Sequence, residues 1–273
     1  MLNNLWVLIV EDDVYARSMM ELLLRRDWRI NVSDEVETPS QLVSLFLDKD
    51  GKSKKKKNKI DLVLIDTDIP DDHHWIREAL DTLRKYQPAA KVLFTGIKPQ
   101  REILKELMSD PKFAGYLLKD EIRYSLSWAV SLTCDYSMVI TPGIRSLMTS
   151  LGIQPLPDSV VVDGTHPLAK LTHHELDIAR LAILFSMERR VLADDLGIAD
   201  DSSFTLISSV YKKLGLQDIL SQPNNLEEYF GPNNAIAKHF RKILGHFSNS
   251  SKGMDKEALV FHLITMPEII ELP

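Results

Sequence analysis

Side chains that could handle a phosphoryl group follow four separate apolar runs of the sequence. They are Glu11 and Asp12 after the first run, Asp66 after the second, Thr95 after the third and Lys119 after the fourth. Crowded carboxylates repel one another unless a cation lies between them, and oxygen ligands with open water positions suit Mg²⁺. An amine and a hydroxyl across the same site could hold phosphoryl oxygens. The residue set predicts metal-assisted phosphoryl transfer onto a carboxylate, Asp66.

The run before Asp66 is typical of a strand that is buried on both faces of a parallel sheet. It reads Leu-Val-Leu-Ile over residues 62–65. Five such strands alternate with five helices within residues 1–133, which predicts a doubly wound, flavodoxin-like α/β domain. In these sheets the carboxyl ends of the strands meet in one crevice, where the side chains named above would come together.

A second domain is predicted beyond a segment rich in proline and glycine. We expect residues 134–170 to be a linker, with a helix beginning near Thr141. From Leu171 onward the apolar spacing is helical only. A helix, a turn at Gly197 and another helix predict a helix-turn-helix in an all-α domain over residues 171–273.

Composition and charge exclude several classes of protein. No apolar run approaches the ~20 residues that cross a bilayer, and the first one leads into Glu11, Asp12 and Asp13, unlike a signal peptide. The single cysteine, Cys134, fits a reducing compartment. We therefore expect a cytoplasmic protein with no membrane partner. A formal net charge of −6 gives no general attraction to nucleic acid, so DNA binding would need a local basic surface.

Longer motifs surround the strand-end residues in chain order. They are Val7-Leu8-Ile9-Val10-Glu11-Asp12-Asp13, Leu62-Val63-Leu64-Ile65-Asp66, Leu93-Phe94-Thr95-Gly96 and Gly115-Tyr116-Leu117-Leu118-Lys119-Asp120. Together they resemble the receiver domain of two-component response regulators over about residues 4–133. One departure is His74, where the family usually has a glycine.

The resemblance implies a role for each strand-end residue. Asp66 would accept a phosphoryl group from a sensor histidine kinase, and the protein would form a homodimer on activation. The implied Mg²⁺ ligands are Glu11, Asp12, Asp66 and the backbone carbonyl of Asp68. Thr95 and Lys119 would contact the phosphoryl oxygens, Gly96 would leave room for the group to enter, and Tyr116 would report the phosphorylated state.

Residues 171–216 resemble the helix-turn-helix of LuxR-type regulators of the NarL/FixJ group. The motifs are Leu171-Thr172-His173-His174-Glu175, Val191-Leu192-Ala193-Asp194-Asp195-Leu196-Gly197-Ile198 and Val210-Tyr211-Lys212-Lys213-Leu214-Gly215-Leu216. The resemblance implies that the third helix enters the DNA major groove. Its exposed positions would be Ser202, Ser203, Thr205, Ser208 and Ser209, with Lys212 and Lys213 at its end. Residues 170–273 contain 11 Lys and Arg against 14 Asp and Glu, a weak electrostatic footprint for DNA.

The sequence is compatible with two functions. The favoured one is a phosphorylation-controlled transcription regulator that binds DNA. The alternative is a receiver-controlled protein-interaction module whose helix-turn-helix does not bind DNA. We do not expect an enzyme, because the second half has no further catalytic cluster. The sequence assigns no role to the lysine-rich insert at residues 49–59 or to the extension beyond Leu216, and no element to residues 255–273.

Overall fold

The structure is a computed structural model, and its described residues form two compact units. It describes residues 4–47, 59–69, 74–165, 171–185, 191, 193–194, 197, 199–221, 226, 230, 234–249 and 256–273. One unit contains residues 1–165 and 270–273, and the other contains residues 166–269. The lysine-rich insert, apart from Lys59, lies outside the described residues.

The first unit is built on an eight-stranded sheet with the strand order β2-β1-β3-β4-β5-β6-β7-β8. The strands are β1 (Leu5–Val10), β2 (Ile30–Val36), β3 (Leu62–Asp66), β4 (Lys91–Gly96), β5 (Phe113–Leu118), β6 (Met138–Ile140), β7 (Ser159–Asp163) and β8 (Glu268–Glu271). All neighbours from β2 through β7 pair in parallel. The strand order reverses where β1 lies beside β3, so this is the doubly wound α/β fold that the sequence predicts.

Helices alternate with these strands along the chain. They are α1 (Val14–Arg25), α2 (Pro39–Phe46), α3 (His74–Tyr86), α4 (Arg101–Leu107), α5 (Lys119–Ile122), a 3₁₀ turn (Arg123–Ser125), α6 (Leu126–Leu132) and α7 (Pro142–Ser150). Asp13 caps α1 by accepting hydrogen bonds from the backbone N–H groups of Tyr15 and Ala16, and Thr38 caps α2 through Gln41. Because Asp13 caps α1, the helix begins at Val14 with only three residues between it and the end of β1 at Val10, so the segment that contains Glu11 and Asp12 is short.

Residues 138–163 differ from the expected linker over 134–170, because they continue the sheet. The strand β6 pairs with β5, and β7 pairs with β6. The helix α7 begins at Pro142, directly after Thr141, where the sequence predicts it. The strands were missed because each apolar run is only three residues long and the prolines around them favour a loop.

Residues 268–273 return the chain to the α/β unit after the helical unit. Leu272 donates its backbone N–H to the carbonyl of Ser159 at 2.8 Å, and its side chain packs into the core of this unit. The Tyr136 hydroxyl donates to Glu271 at 2.5 Å. Since residues 270–273 belong to the first unit, the chain passes between the units twice.

The second unit is helical in its described part, apart from the first residues of β8. Its helices are α8 (His173–Leu184), α9 (Asp200–Lys213), α10 (Leu216–Ser221), α11 (Asn234–Asn249) and α12 (Lys256–Ile264), with further helical residues at 191, 193 and 194. The predicted capping box of Thr172 and Glu175 opens α8. Gly197 and Gly215, on either side of α9, have φ angles of +63° and +61°, which only glycine adopts at little cost. The predicted turn at Gly197 and the helix after it are therefore confirmed, whereas most of the helix predicted before the turn, at residues 190–196, lies outside the described residues.

None of the described helices is long and apolar enough to cross a membrane.

The return of Leu272 to the core can be tested by substitution. Leu272→Ala should lower the free energy of unfolding of the α/β unit by about 2 kcal/mol, because it leaves a cavity beside the sheet. Ile270→Ala, at a side chain that is 43% exposed, is the matched control and should cost much less. All four tryptophans lie in the first unit, so urea unfolding followed by tryptophan fluorescence reports on that unit alone. Equal small losses in both variants would show that residues 270–273 do not stabilise the sheet.

Candidate functional site

The carboxyl ends of β1, β3, β4 and β5 bring the strand-end residues together in one crevice. Glu11 and Asp12 follow β1, and Asp66 is the last residue of β3. Asp66 lies directly opposite Thr95 in the pairing of β3 with β4. Lys119 follows β5 and is the first residue of α5. The reversal of strand order at β1 and β3 therefore places the acidic pair beside the proposed acceptor.

Three carboxylates in this crevice form a candidate metal site. One oxygen from each of Glu11, Asp12 and Asp66 lies within 4.8 Å of the others. Glu11 and Asp66 are buried, and Asp12 is exposed. An all-oxygen set with one exposed member fits Mg²⁺, which prefers carboxylates and retains several waters. The residues present therefore fit the expected ion.

Lys119 supplies the positive charge that faces these carboxylates. Its Nζ lies 2.8 Å from Glu11 Oε2 and 3.1 Å from Asp66 Oδ1. Burial alone would lower the pKa of Lys119, but the hydrogen bond to Glu11 and the charge of Asp66 raise that pKa above its usual value. The ammonium group therefore stays protonated and partly compensates the two buried acids.

Burial also shifts the pKa values of the carboxyl groups. It raises the pKa of Glu11 to about 7; the hydrogen bond from Lys119 opposes this change, and the charge of Asp66 adds to it. Burial likewise raises the pKa of Asp66, again opposed by Lys119. One ammonium is thus insufficient for this cluster, which is the electrostatic situation in which a bound divalent cation is most stabilising.

The Thr95 hydroxyl is a buried polar group at the carboxyl end of β4. Its Oγ1 is buried and has no hydrogen-bond partner among the described residues. A buried hydroxyl left unsatisfied costs about 1–3 kcal/mol. An acceptor oxygen delivered into the crevice would remove that cost, so this atom fits the predicted contact with a phosphoryl group.

Thr67 and Tyr116 form a hydrogen-bonded pair behind Thr95. The two hydroxyl oxygens are 2.7 Å apart, and Thr67 Oγ1 is 3.0 Å from the carbonyl oxygen of Thr95. The Tyr116 hydroxyl is also 3.3 Å from the Lys98 carbonyl. Two hydroxyls carry only two hydrogens, so the shorter contacts are favoured: Thr67 donates to Thr95, and Tyr116 donates to Thr67. Burial raises the pKa of Tyr116 to about 12, which keeps its proton in place.

The Thr67–Tyr116 pair accounts for the absence of a side chain at residue 96. A Cβ at Gly96 would lie 2.5 Å from Thr67 Oγ1 and 3.0 Å from the Tyr116 hydroxyl. The resemblance to receiver domains implies that Gly96 leaves room for an entering phosphoryl group. In the structure the Thr67–Tyr116 pair occupies the space that a side chain would need.

Asp68 and Gln100 tie the loop after β3 to the loop after β4. Gln100 Nε2 donates to the Thr67 carbonyl at 2.9 Å and to Asp68 Oδ1 at 3.1 Å. The backbone N–H of Ile97 donates to the other oxygen of Asp68. Thr67 and Gln100 are not among the residues predicted from the sequence, since a threonine and a glutamine in loops carry no recognisable spacing. These bonds fix the backbone that follows Asp66, including the Asp68 carbonyl predicted as a metal ligand.

The predicted DNA-contacting residues lie on α9 with different surroundings. Thr205, Ser208 and Lys212 are exposed, whereas the side chains of Ser202 and Ser203 lie outside what the structure describes. Lys213 is exposed too, but its Nζ forms an ion pair with Glu175 at 2.5 Å.

The Lys213–Glu175 ion pair belongs to the capping box of α8. Glu175 Oε1 accepts from Lys213, and Glu175 Oε2 accepts from the Thr172 backbone N–H at 3.0 Å. The Lys213 contact, followed by the Thr172 hydrogen bond, lowers the pKa of Glu175 to about 2. Lys213 therefore supplies less free charge for DNA phosphates than its exposed position suggests.

No family model and no curated protein sequence matches this chain. Among solved structures, it resembles the Salmonella typhimurium RcsB response regulator at 16% identity and a TM-score of 0.44, covering 78% of this chain and 93% of that one. RcsB from Salmonella enterica serovar Typhimurium, bound to promoter P1flhDC with the phosphomimetic BeF₃⁻, matches at 17% identity with the same coverage and TM-score. The response regulator ChrA of a heme-sensing two-component system matches at 20% identity and a TM-score of 0.39, covering 78% and 91%. At TM-scores below 0.5 these likenesses do not by themselves assign a function.

The raised pKa of Glu11 predicts how metal-free protein responds to pH. Its pKa is about 7 in the folded protein against an ordinary value of 4.5, so the folded state binds the proton more tightly. The free energy of unfolding should therefore fall as pH rises from about 5 to 7.5 without Mg²⁺. The raised pKa of Asp66 acts in the same direction. Mg²⁺ should oppose this loss increasingly as pH rises, because it binds the deprotonated carboxylates.

Urea unfolding of wild type and Glu11→Gln at several pH values, with and without Mg²⁺, measures this effect. The variant should lose less stability with rising pH and gain less from Mg²⁺ than wild type. Glu78→Gln, an exposed substitution on α3, is the control and should behave as wild type. An identical pH dependence in Glu11→Gln and wild type would contradict the assignment.

Proposed function

We propose that this protein is a phosphorylation-controlled response regulator of a two-component system that acts in the cytoplasm. Its α/β unit accepts a phosphoryl group on Asp66 from a sensor histidine kinase, and its helical unit regulates transcription by binding DNA. The observation that carries the proposal is the crevice itself. Asp66 stands with Glu11 and Asp12 in one cluster of carboxylate oxygens within 4.8 Å, and the Lys119 ammonium lies 3.1 Å from it.

Phosphoryl transfer in this crevice is a displacement at phosphorus. An oxygen of the Asp66 carboxylate forms the new P–O bond as the P–N bond to the kinase histidine breaks. The electron pair of that bond stays with the imidazole nitrogen. Proton exchange with solvent then leaves the kinase histidine as a neutral imidazole. Mg²⁺, held by Glu11, Asp12, Asp66 and the Asp68 carbonyl, would neutralise charge on the phosphoryl oxygens.

Lys119 and Thr95 would hold the transferred group. The Lys119 ammonium already lies 3.1 Å from Asp66 Oδ1, so a small shift brings it onto a phosphoryl oxygen. The Thr95 hydroxyl, which has no partner among the described residues, would donate to a second oxygen. Both contacts form only after the group has arrived, and they therefore favour the phosphorylated state of the crevice.

The Thr67–Tyr116 pair offers a route from the crevice to the rest of the sheet. Thr67 donates to the Thr95 carbonyl, so a displacement of Thr95 toward a phosphoryl group changes the hydrogen bond that holds Tyr116. We assign the switch role to this pair, with homodimerisation as its consequence. Repositioning of a buried aromatic side chain is a packing change that a partner surface can detect.

A second function for the helical unit is favoured by its charge. Residues 170–273 carry more acids than bases, and Lys213 is paired with Glu175. A receiver-controlled protein-interaction module would need no phosphate contacts and is compatible with both facts. DNA binding remains the first proposal because the described elements of this unit, α8, the turns at Gly197 and Gly215, and α9 between those turns, follow the order of a helix-turn-helix.

The acceptor assignment is tested by labelling with a small phosphodonor. Asp66→Asn should incorporate no phosphate, because an amide oxygen is too poor a nucleophile to form the acyl phosphate. Removal of Mg²⁺ should abolish labelling of the wild type. Asp120→Asn, at an exposed acid beside Lys119, is the matched control and should label normally. Labelling of Asp66→Asn at the wild-type level would assign the acceptor to another residue.

The lysines of α9 separate the two proposed functions of the helical unit. Lys212→Ala should weaken binding to every duplex by a similar factor and lower the salt slope by about 0.9. Lys213→Ala should change the slope less, since its charge is already compensated by Glu175. Thr205→Ala should instead change which sequence is preferred. The measurement is a gel shift at several salt concentrations with phosphorylated protein. If no duplex binds even at low salt, the protein-interaction function replaces DNA binding.

A further inference from the structure

The helix α11 carries only positive charge. Its 16 residues, Asn234–Asn249, include Lys238, Arg241 and Lys242 but no Asp or Glu. The side chains of Lys238 and Arg241 are exposed, and Lys242 is half-buried. Spacings of three and four residues place all three cations on one side of the helix.

The opposite side of α11 is fixed in the core of the helical unit. The side chains of Ala235, Ile236, Ile243 and Leu244 are buried there, and Phe240 packs against Phe230 with ring centroids 4.6 Å apart. A helix anchored along its apolar side presents its charged side in a fixed orientation.

The same core connects α11 to the helix-turn-helix. The ring of His239 on α11 lies 6.4 Å from that of His262 on α12, and α12 packs against α8. α9 packs against α8 as well. The cationic side of α11 is therefore part of one packed unit with the helices that resemble a DNA-binding motif.

The helices α9 and α11 differ in their net charge. The proposed recognition helix α9 has Asp200 and Asp201 at its start and Lys212 and Lys213 at its end, for no net charge. Acids exceed bases over residues 170–273 as a whole. In contrast to α9 and to the unit as a whole, α11 has three cations and no acid, and therefore a net positive charge.

We infer that Lys238, Arg241 and Lys242 on α11 form the main phosphate-contacting surface of this unit and bind the DNA backbone. This inference rests on the proposed DNA binding and deepens it. α9 then reads bases with hydroxyls, while α11 provides the charge that α9 lacks. The cations span about 6 Å of helix rise. Phosphates follow one another at about 3.4 Å of axial rise along each DNA strand, so the span matches two to three of them.

The composition of this surface favours a polyanion over a membrane. Among residues 235–245 the exposed side chains are those of Lys238 and Arg241, Lys242 is half-buried, and every large apolar side chain is buried. An interfacial membrane helix would need exposed apolar residues to insert. A duplex requires only charge and a matching spacing.

The test replaces all three cations by glutamine and measures the salt dependence of binding to two unrelated duplexes. The phosphorylated variant should lose affinity equally for both, and its salt slope should fall by about 2 to 3. Between 50 and 200 mM salt, the affinity loss of the wild type should then exceed that of the variant by up to about 40-fold. Replacing Lys238 and Lys242 by arginine instead preserves the charge and should keep the wild-type slope.

Controls distinguish this surface from a general effect of net charge. Substituting Lys85, Lys105 and Arg145 by glutamine removes the same charge from the α/β unit and should leave the slope unchanged. Circular dichroism verifies that the helical content of each variant is retained. Vesicles containing phosphatidylserine are assayed in parallel.

If wild type binds DNA and the α11 variant keeps its slope, the inference fails while the proposed DNA binding stands. If wild type binds no duplex at any salt, DNA binding and the inference both fail. A variant that loses vesicle binding but keeps DNA binding would also overturn the inference.

Discussion

The close approach of buried carboxylates is the constraint on which the proposed site depends. Glu11 and Asp66 are both buried and share one ammonium, that of Lys119, at 2.8 and 3.1 Å. Burial raises the pKa of each acid despite that ammonium, so the cluster stores electrostatic free energy that a cation or a redistribution of charge can release. The parallel sheet maintains this arrangement, because β1 and β3 are adjacent strands with apolar residues buried on both faces. A crevice that is unfavourable without an added cation is well suited to respond to an arriving phosphoryl group.

Elements whose position follows from one local pattern can be predicted from the sequence. The apolar run before Asp66 identifies the strand, and its last residue necessarily lies at the carboxyl edge, so the crevice was predictable without coordinates. The Thr67–Tyr116 pair was not predictable in this way, since it depends on which loops meet across two strands. The strands β6 and β7 were hidden for a different reason. Three apolar residues among prolines satisfy a loop pattern as well as a strand pattern, and only pairing with β5 decides between them.

In the helical unit, the residues that determine the fold are different from the residues expected to contact DNA. The residues that carry its resemblance are caps, turn glycines and core positions, and the structure confirms these as structural features. One of the two expected phosphate contacts, Lys213, is instead engaged by Glu175 of the capping box. A helix-turn-helix sequence therefore predicts the backbone better than the binding surface. Three of the basic residues of this unit, Lys238, Arg241 and Lys242, lie on α11, outside the residues that show the resemblance.

The return of residues 270–273 to the sheet makes the helical unit an insertion between two strands of the α/β unit. During synthesis the ribosome produces β1 to β7 first, then the helices, and only afterwards the residues that include Leu272. Vectorial folding usually finishes the amino-terminal domain before the next one appears. Here the sheet that bears Asp66 acquires its outer strand only after the helical unit has been made. A nascent chain stalled within the helical unit would carry the phosphorylation crevice on an incomplete sheet, with the backbone groups of β7 open to pairing with other chains.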